Sequence, residues 1–408
     1  MSNQARRGVW RGLSAMPPKL ILHFDVNETI LVGDPAGGDT FEQSLNKIIC
    51  KTALVQRSGI DTGSGMPTRW RDGSEICSST TFPPPLFTGF DWPEDTVSFY
   101  RAGTSAKACA QQFTEPGQPG EAYRPLYNKL EAALRWPAIE AASPPSSAEA
   151  AAAAVATRTP RAPPPKRLCH DGVHHFLIPA FFTTICELAK MGRTFGIVVR
   201  TFGTDADDVV AALQAYAEGV HLPEFNDPVV SEMSLAAMSC WKGAYTQEGT
   251  FCLKRLNSSG RSEIISDEDK IVRILHGEPN QITCVVCTDD YGWWKDHGYA
   301  PFAGKPIWLD YTKPQHNFLP IFFDDNIHND ADDSIVAVRS KRIQGGSTLA
   351  SCYEAMNGEE TLLEQGVHLV RVPTVEPVLN QRWFLEQITR CEAAWATRVG
   401  EMERSGKM

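Results

Sequence analysis

Apolar residues in this chain fall into short continuous runs separated by longer stretches of helical spacing. The short runs are "LILHF" (Leu20–Phe24), "TFGIVVR" (Thr194–Arg200), "QITCVVC" (Gln281–Cys287), "KPIWL" (Lys305–Leu309), "LPIFF" (Leu319–Phe323) and "VHLVRV" (Val367–Val372). Each is too short for a helix and is rich in β-branched or aromatic residues, the pattern of strands buried on both faces. Between them, "FLIPAFFTTICELAKMGR" (Phe176–Arg193) repeats apolar positions three and four apart and stops at Gly192. "DADDVVAALQAYAEG" (Asp205–Gly219) predicts a helix with acids in its first turn and glycine at its end. A further helix is predicted over "SDEDKIVRILHG", with Ser266 as N-cap and Asp269 three residues on, and a last one over "QRWFLEQITRCEAAWATRV". Strands alternating with helices predict an α/β fold: a three-layer, doubly wound, mostly parallel sheet with insertions.

The alternation breaks in three places. Residues 33–140 carry little periodicity and many turn residues, and read as an irregular insertion. Residues 141–166, "AASPPSSAEAAAAAVATRTPRAPPPK", have almost nothing to bury and read as a disordered Ala/Pro/Ser linker. Residues 222–277 hold a candidate hairpin, "CWKGAYTQEGTFCLKRLN", and read as a cap or hairpin insertion. One domain is therefore expected over 19–395, with flexible tails at 1–18 and 396–408.

The formal charge of −10 argues against a nucleic-acid footprint, which needs a concentrated positive field. No apolar run reaches the roughly 18 residues of a membrane span. Eleven cysteines without small-scaffold spacing read as reduced thiols of a cytoplasmic protein, with Cys284 and Cys287 buried in a strand. Arg6, Arg7 and Arg11 leave an organelle presequence as the alternative for the first residues. Cys169, His170, His174 and His175 match no zinc spacing, and "GDPAGGDT" lacks the Lys of a phosphate loop.

Polar residues at the carboxyl ends of the strands are the ones to weigh in such a sheet. Asp25 follows "LILHF", Asp324 and Asp325 follow "LPIFF", and Thr201 ends "GIVVRT". Converging carboxylates repel unless a cation neutralises them, and hard oxygen ligands favour Mg²⁺.

"DVNET" after a hydrophobic strand, Thr201 at a strand end and "FFDDN" resemble, in that order, the first, second and fourth motifs of the haloacid dehalogenase-like hydrolase superfamily. The resemblance covers residues 20–30 and 176–395 and none of the early insertion. It implies that Asp25 is a nucleophile forming an aspartyl-phosphate. It further implies that Mg²⁺ is held by Asp25, the backbone carbonyl of Asn27, Asp324 and Asp325. Thr201 would bind the transferring phosphoryl group, with Thr29 and Arg200 beside it. Lys305 is the first choice for the phosphoryl-neutralising lysine and Lys295 the second. The substrate would be a small phosphorylated molecule; the oligomeric state stays open.

This chain departs from the family at Asn27, where the usual residue is an Asp that acts as general acid and base. An amide cannot transfer that proton, a step worth about 10²–10⁴-fold in rate. Four outcomes remain open. The protein is a phosphatase for good leaving groups, or one using Glu28 or His23 as substitute acid; it is a phosphoryl-binding protein without turnover; it is a 2-haloacid dehalogenase-like enzyme; or the fold is only a scaffold. The acidic pair favours phosphoryl chemistry over halide displacement, which needs no divalent cation.

Overall fold

The computed structural model describes residues 17–33, 38–76, 83–87, 93–137, 164–225, 238–256, 261–312, 318–341 and 352–404. Residues 1–16 and most of the predicted linker lie outside the described residues. Strands run in chain order as β1 (Lys19–Asp25), β2 (Leu54–Gln56), β3 (Thr96–Ser98), β4 (Phe195–Thr201), β5 (Met238–Tyr245), β6 (Phe251–Leu256) and β7 (Ser262–Ile265). They continue as β8 (Thr283–Thr288), β9 (Lys305–Asp310), β10 (Phe318–Asp324), β11 (Ile327–Asp330), β12 (Asp333–Ser334), β13 (Val336–Lys341), β14 (Glu354–Ala355) and β15 (Leu369–Arg371).

The central sheet has the order β15-β10-β1-β4-β8-β5-β6-β7. From β15 to β5 every neighbouring pair is parallel; β6 and β7 extend the edge antiparallel. The chain is thus α/β with a large, mostly parallel central sheet. β1 lies inside it and is buried along its whole length, as a strand covered on both faces must be.

Side chains of β1 alternate between the two faces. Phe24 packs between Phe181, Phe323 and Phe384, with ring centroids 5.2, 5.0 and 5.2 Å away. Helices Pro179–Lys190 and Trp383–Arg404 supply Phe181 and Phe384 on that side. On the other face Ile21, Val198 and Val285 meet Ile271 and Leu275 of helix Glu268–His276, and Trp308 of β9.

Several expectations are corrected. Residues 396–404 are not a tail: the last helix runs to Arg404, because Val399 is buried and Arg398 pairs with Glu364. Within 222–277 the expected hairpin is present as β5 and β6, which continue the central sheet. Asp267, not Ser266, caps helix Glu268–His276 by accepting from the Lys270 amide at 2.9 Å. "KPIWL" forms β9, which pairs with β13 in a separate three-stranded sheet.

The early block has a structure that its weak periodicity conceals. Helix Phe41–Thr52 begins with a capping box between Thr40 and Gln43, and its buried Leu45, Ile48 and Ile49 belong to the main core. Trp70, Phe99, Phe113 and Tyr123 form an aromatic cluster beneath it. The block therefore shares the core of the sheet domain.

Four buried histidines set an acid limit. Burial, reinforced by neighbouring cations, lowers His276 to about 3 and His175 to about 4. Burial likewise lowers His221 to about 3 and His368 to about 4. In the unfolded chain each takes a proton near its ordinary value, while the folded chain keeps it neutral. Their contribution is thus complete above about pH 6.5 and falls as pH drops toward about 4, by roughly 1.4 kcal/mol per pH unit for each group. Asp25 and Asp325, whose carboxyls are raised by burial, act in the opposite sense over the same window, so the rings are followed directly. NMR of the four imidazoles should show them neutral down to about pH 5, and protonation near 6.5 would show that they are not buried neutral.

Candidate active site

The strand order reverses at β1, with β4 and β8 on one side and β10 and β15 on the other. Open α/β sheets form their ligand crevice at the carboxyl ends of the strands flanking such a reversal. Asp25 is the last residue of β1 and Asp324 the last of β10, one step beyond the paired Phe24 and Phe323. Asp325 follows, its amide donating to the Thr29 hydroxyl at 3.2 Å. One oxygen from each of Asp25, Asp324 and Asp325 lies within 4.8 Å of the others.

Lys305 reaches this cluster from the start of β9. Its Nζ is buried, pairs with Asp25 and donates to Asp324 Oδ2 at 2.9 Å. Burial works against its charge, but Asp25 and Asp324 outweigh it and hold the ammonium protonated above the usual lysine range. Lys305, with Lys51 3.9 Å from Asp325 but paired with Glu28, does not balance the three carboxylates. Burial and the neighbouring Asp324 raise Asp25 to about 7 despite Lys305, and burial pushes Asp325 well above its ordinary value. Clustered carboxylates with an excess of negative charge suit a hard divalent cation, and their oxygens are the donors Mg²⁺ prefers. No family model, curated protein or solved structure matches the chain. The chemistry is read from these side chains.

Other predicted residues are placed differently. Arg200 lies on β4 in register with Asp25, but its guanidinium is held by Asp289 through two bonds of 2.9 and 2.6 Å. It also donates to the Pro306 carbonyl at 2.8 Å, one residue beyond Lys305. Its guanidinium is thus engaged in a buried ion pair that braces the segment carrying Lys305. Lys295 is exposed on helix Tyr291–Asp296, while Lys305 makes the carboxylate contacts. Thr29 is fully buried and fixes the Asp325 backbone, which is a positioning contact.

The substitute acids fare no better. His23 is fully buried, stacks on Phe322 and receives Arg200 at 3.5 Å. Burial, then Arg200, holds it far below ordinary histidine. Glu28 has a left-handed backbone at φ 60° and its carboxylate is clamped by Lys51 and Lys47. Its carbonyl accepts from the Thr374 hydroxyl. Neither is free to protonate a leaving group.

Asp205 is the residue that the sequence reading missed. In "TFGTDADD" it looks like a helix-capping acid, yet its side chain caps nothing. It is buried instead against Thr201, whose hydroxyl donates to it at 3.2 Å, and against the Asn27 amide; burial raises its carboxyl above the usual range, and these hydrogen bonds offset part of the rise. Gly203 permits this arrangement, since a Cβ there would sit 2.0 Å from Asp205 Oδ1 and 3.1 Å from Asn27 Nδ2. Thr201 also accepts from the Gly203 amide at 2.8 Å, so its hydroxyl is committed within the loop.

The Cys169–His175 cluster is a tether. His174 sits between Asp171 and Glu131, at 2.6 and 3.0 Å, and stacks on Phe41. His175 turns away toward Trp136 and His221. Among the described residues, the group whose oxygens lie close enough that it could hold a metal ion is the Asp25, Asp324 and Asp325 set.

Proposed function

We propose that this protein is a Mg²⁺-dependent phosphomonoesterase of the haloacid dehalogenase-like type, acting on phosphate esters of good leaving groups. The observation that carries this reading is the meeting of Asp25, Asp324, Asp325 and Lys305 at the reversal of strand order. Asp25, Asp324, Asp325 and the Asn27 carbonyl would hold the ion, which offsets the charge of the phosphoryl group when bound. Asp25 is the nucleophile: its carboxylate oxygen bonds to phosphorus as the ester P–O bond breaks. Water then attacks the aspartyl-phosphate, releasing inorganic phosphate and restoring Asp25. Lys305 neutralises charge beside Asp25 throughout.

The departing oxygen finds no acid at residue 27, so aryl phosphates, whose leaving groups need little protonation, are the expected substrates. The test is turnover of an aryl and an alkyl phosphate by the purified chain in Mg²⁺. Equal rates would remove the role assigned to Asn27. The amide at Asn27, with Glu28 clamped by Lys51 and His23 buried and held neutral, favours a second reading, a phosphoryl-binding protein without turnover. Tight retention of a metallofluoride phosphate mimic with no hydrolysis would establish it.

Asn27 is complementary to Asp205, an amide donor against a carboxylate acceptor. Asn27→Asp alone would set two carboxylates face to face. We expect it to lower the melting temperature and to leave alkyl phosphate hydrolysis slow. Asn27→Asp combined with Asp205→Asn should raise alkyl phosphate turnover by about 10²–10⁴-fold. Full acceleration by the single change would refute the pairing.

A further inference from the structure

A cavity of about 160 Å³ opens beside the carboxylate cluster and shares Asp325 as a wall. Helix Phe41–Thr52 and the Ser98–Arg101 segment of the early block form one side; the ends of β10 and β15 form the other. Its lining is cationic in a chain whose net charge is −10. Lys51, Arg101 and Arg371 come from three separate elements; Glu28 and Asp325 are the acids among the lining residues, and Arg101 also pairs with Asp333 behind the wall. Asp325 is also one of the proposed cation ligands, so a bound divalent ion would leave the lining more positive still.

The cations are positioned rather than loose. Lys51 pairs with Glu28 and lies 3.9 Å from Asp325. Arg101 donates to Asp333 at 2.7 Å and contacts His328 Nε2 at 2.8 Å, which brings its guanidinium from the insertion to the cavity. Arg371 ends β15 in register with Asp324. Burial, then Arg101, and also Arg371 and Lys51 lower His328 to about 4 in spite of Asp333, as expected of a positive field. Ser98, Tyr100 and Asn326 add neutral polar groups to the wall.

We propose that this cavity binds a second anionic group of the substrate, a carboxylate or a second phosphoryl group, while the first phosphoryl group sits at Asp25. The substrate class is then small phosphorylated acids or bisphosphates. This rests on the reading of Asp25 as the phosphoryl-transfer centre. Planar guanidinium groups suit both anions, because each offers paired oxygens to paired N–H donors.

The experiment is calorimetric titration of the full chain, in excess Mg²⁺, with methylphosphonate, phosphonoacetate and methylenebisphosphonate. At least one two-anion ligand should bind about tenfold or more tightly than methylphosphonate, as charge-assisted hydrogen bonds require. The tighter of the two identifies carboxylate or phosphoryl as the second group. In Arg101→Gln and, separately, in Arg371→Gln, that ratio should collapse toward one. Arg101 has a half-exposed side chain outside the core, and melting curves of both variants check folding. Equal affinities in the unaltered chain, or an advantage that survives both variants because the ligand merely chelates Mg²⁺, would overturn this inference and leave the Asp25 reading standing. Failure of every phosphonate to bind, with no Asp25-dependent hydrolysis, would overturn both.

Discussion

Asp25→Asn is expected to abolish Mg²⁺-dependent hydrolysis of an aryl phosphate, by about a thousandfold or more, as loss of a nucleophile does. The two side chains have nearly the same shape, so Phe24, Phe323 and Phe384 keep their packing one residue away. The fold should therefore persist, and a melting curve close to that of the unaltered chain distinguishes lost chemistry from lost structure. Asp324 and Lys305 remain in place in the variant and still offer one of their two contacts. Hydrolysis that survives the change would mean that Asp25 does not attack phosphorus, whatever else the cluster does. Retention of metallofluoride should weaken with it, because the mimic needs the carboxylate oxygen.

The largest expected effect on stability is at Lys305. Its ammonium is buried between Asp25 and Asp324, and Lys305→Met removes the charge while preserving most of the side-chain volume. Breaking a buried ion pair from one side costs about 3–5 kcal/mol, because the remaining charges stay unpaired in a poorly solvated site. That loss should appear in full in the presence of chelator. On the proposed binding of Mg²⁺ to the folded carboxylate cluster, excess Mg²⁺ should recover part of it. The recovery should exceed the gain Mg²⁺ gives the unaltered protein, since the variant presents more uncompensated negative charge. Urea unfolding of both proteins with chelator and with Mg²⁺ measures all four quantities. A variant as stable as the parent in chelator would show that the carboxylates do not depend on this lysine.

Much of the sheet was legible because its strands are buried on both faces, which writes each as an uninterrupted apolar run. "LILHF", "GIVVR" and "LPIFF" become β1, β4 and β10, and the acids after the first and last stand together because those strands are neighbours. Pattern alone does not say which sheet a strand joins, and β9 left the central sheet although it reads like the others. The choice between Lys305 and Lys295 was likewise a matter of which strand end faces the cluster. The early block was hard to read because much of its core is made by scattered aromatics, Trp70, Phe99, Phe113 and Tyr123, between short helices whose buried faces, such as Leu45, Ile48 and Ile49, cover only a few turns. Asp205 was missed because an acid before a helix is ordinarily a cap, and only its burial against Asn27 and Thr201 gives it another role.

The fit of Asn27 to Asp205 also constrains how such a site changes by descent. Residues that share one contact have effects that do not add, and here either replacement alone disturbs the other. A chain with a carboxylate at 27 and an amide at 205 would differ from this one by two substitutions, and the loss of stability expected from Asn27→Asp alone makes each change depend on the other. Reaching that arrangement by single changes is expected to pass through either two facing carboxylates or two facing amides at 27 and 205, neither of which keeps the donor–acceptor fit.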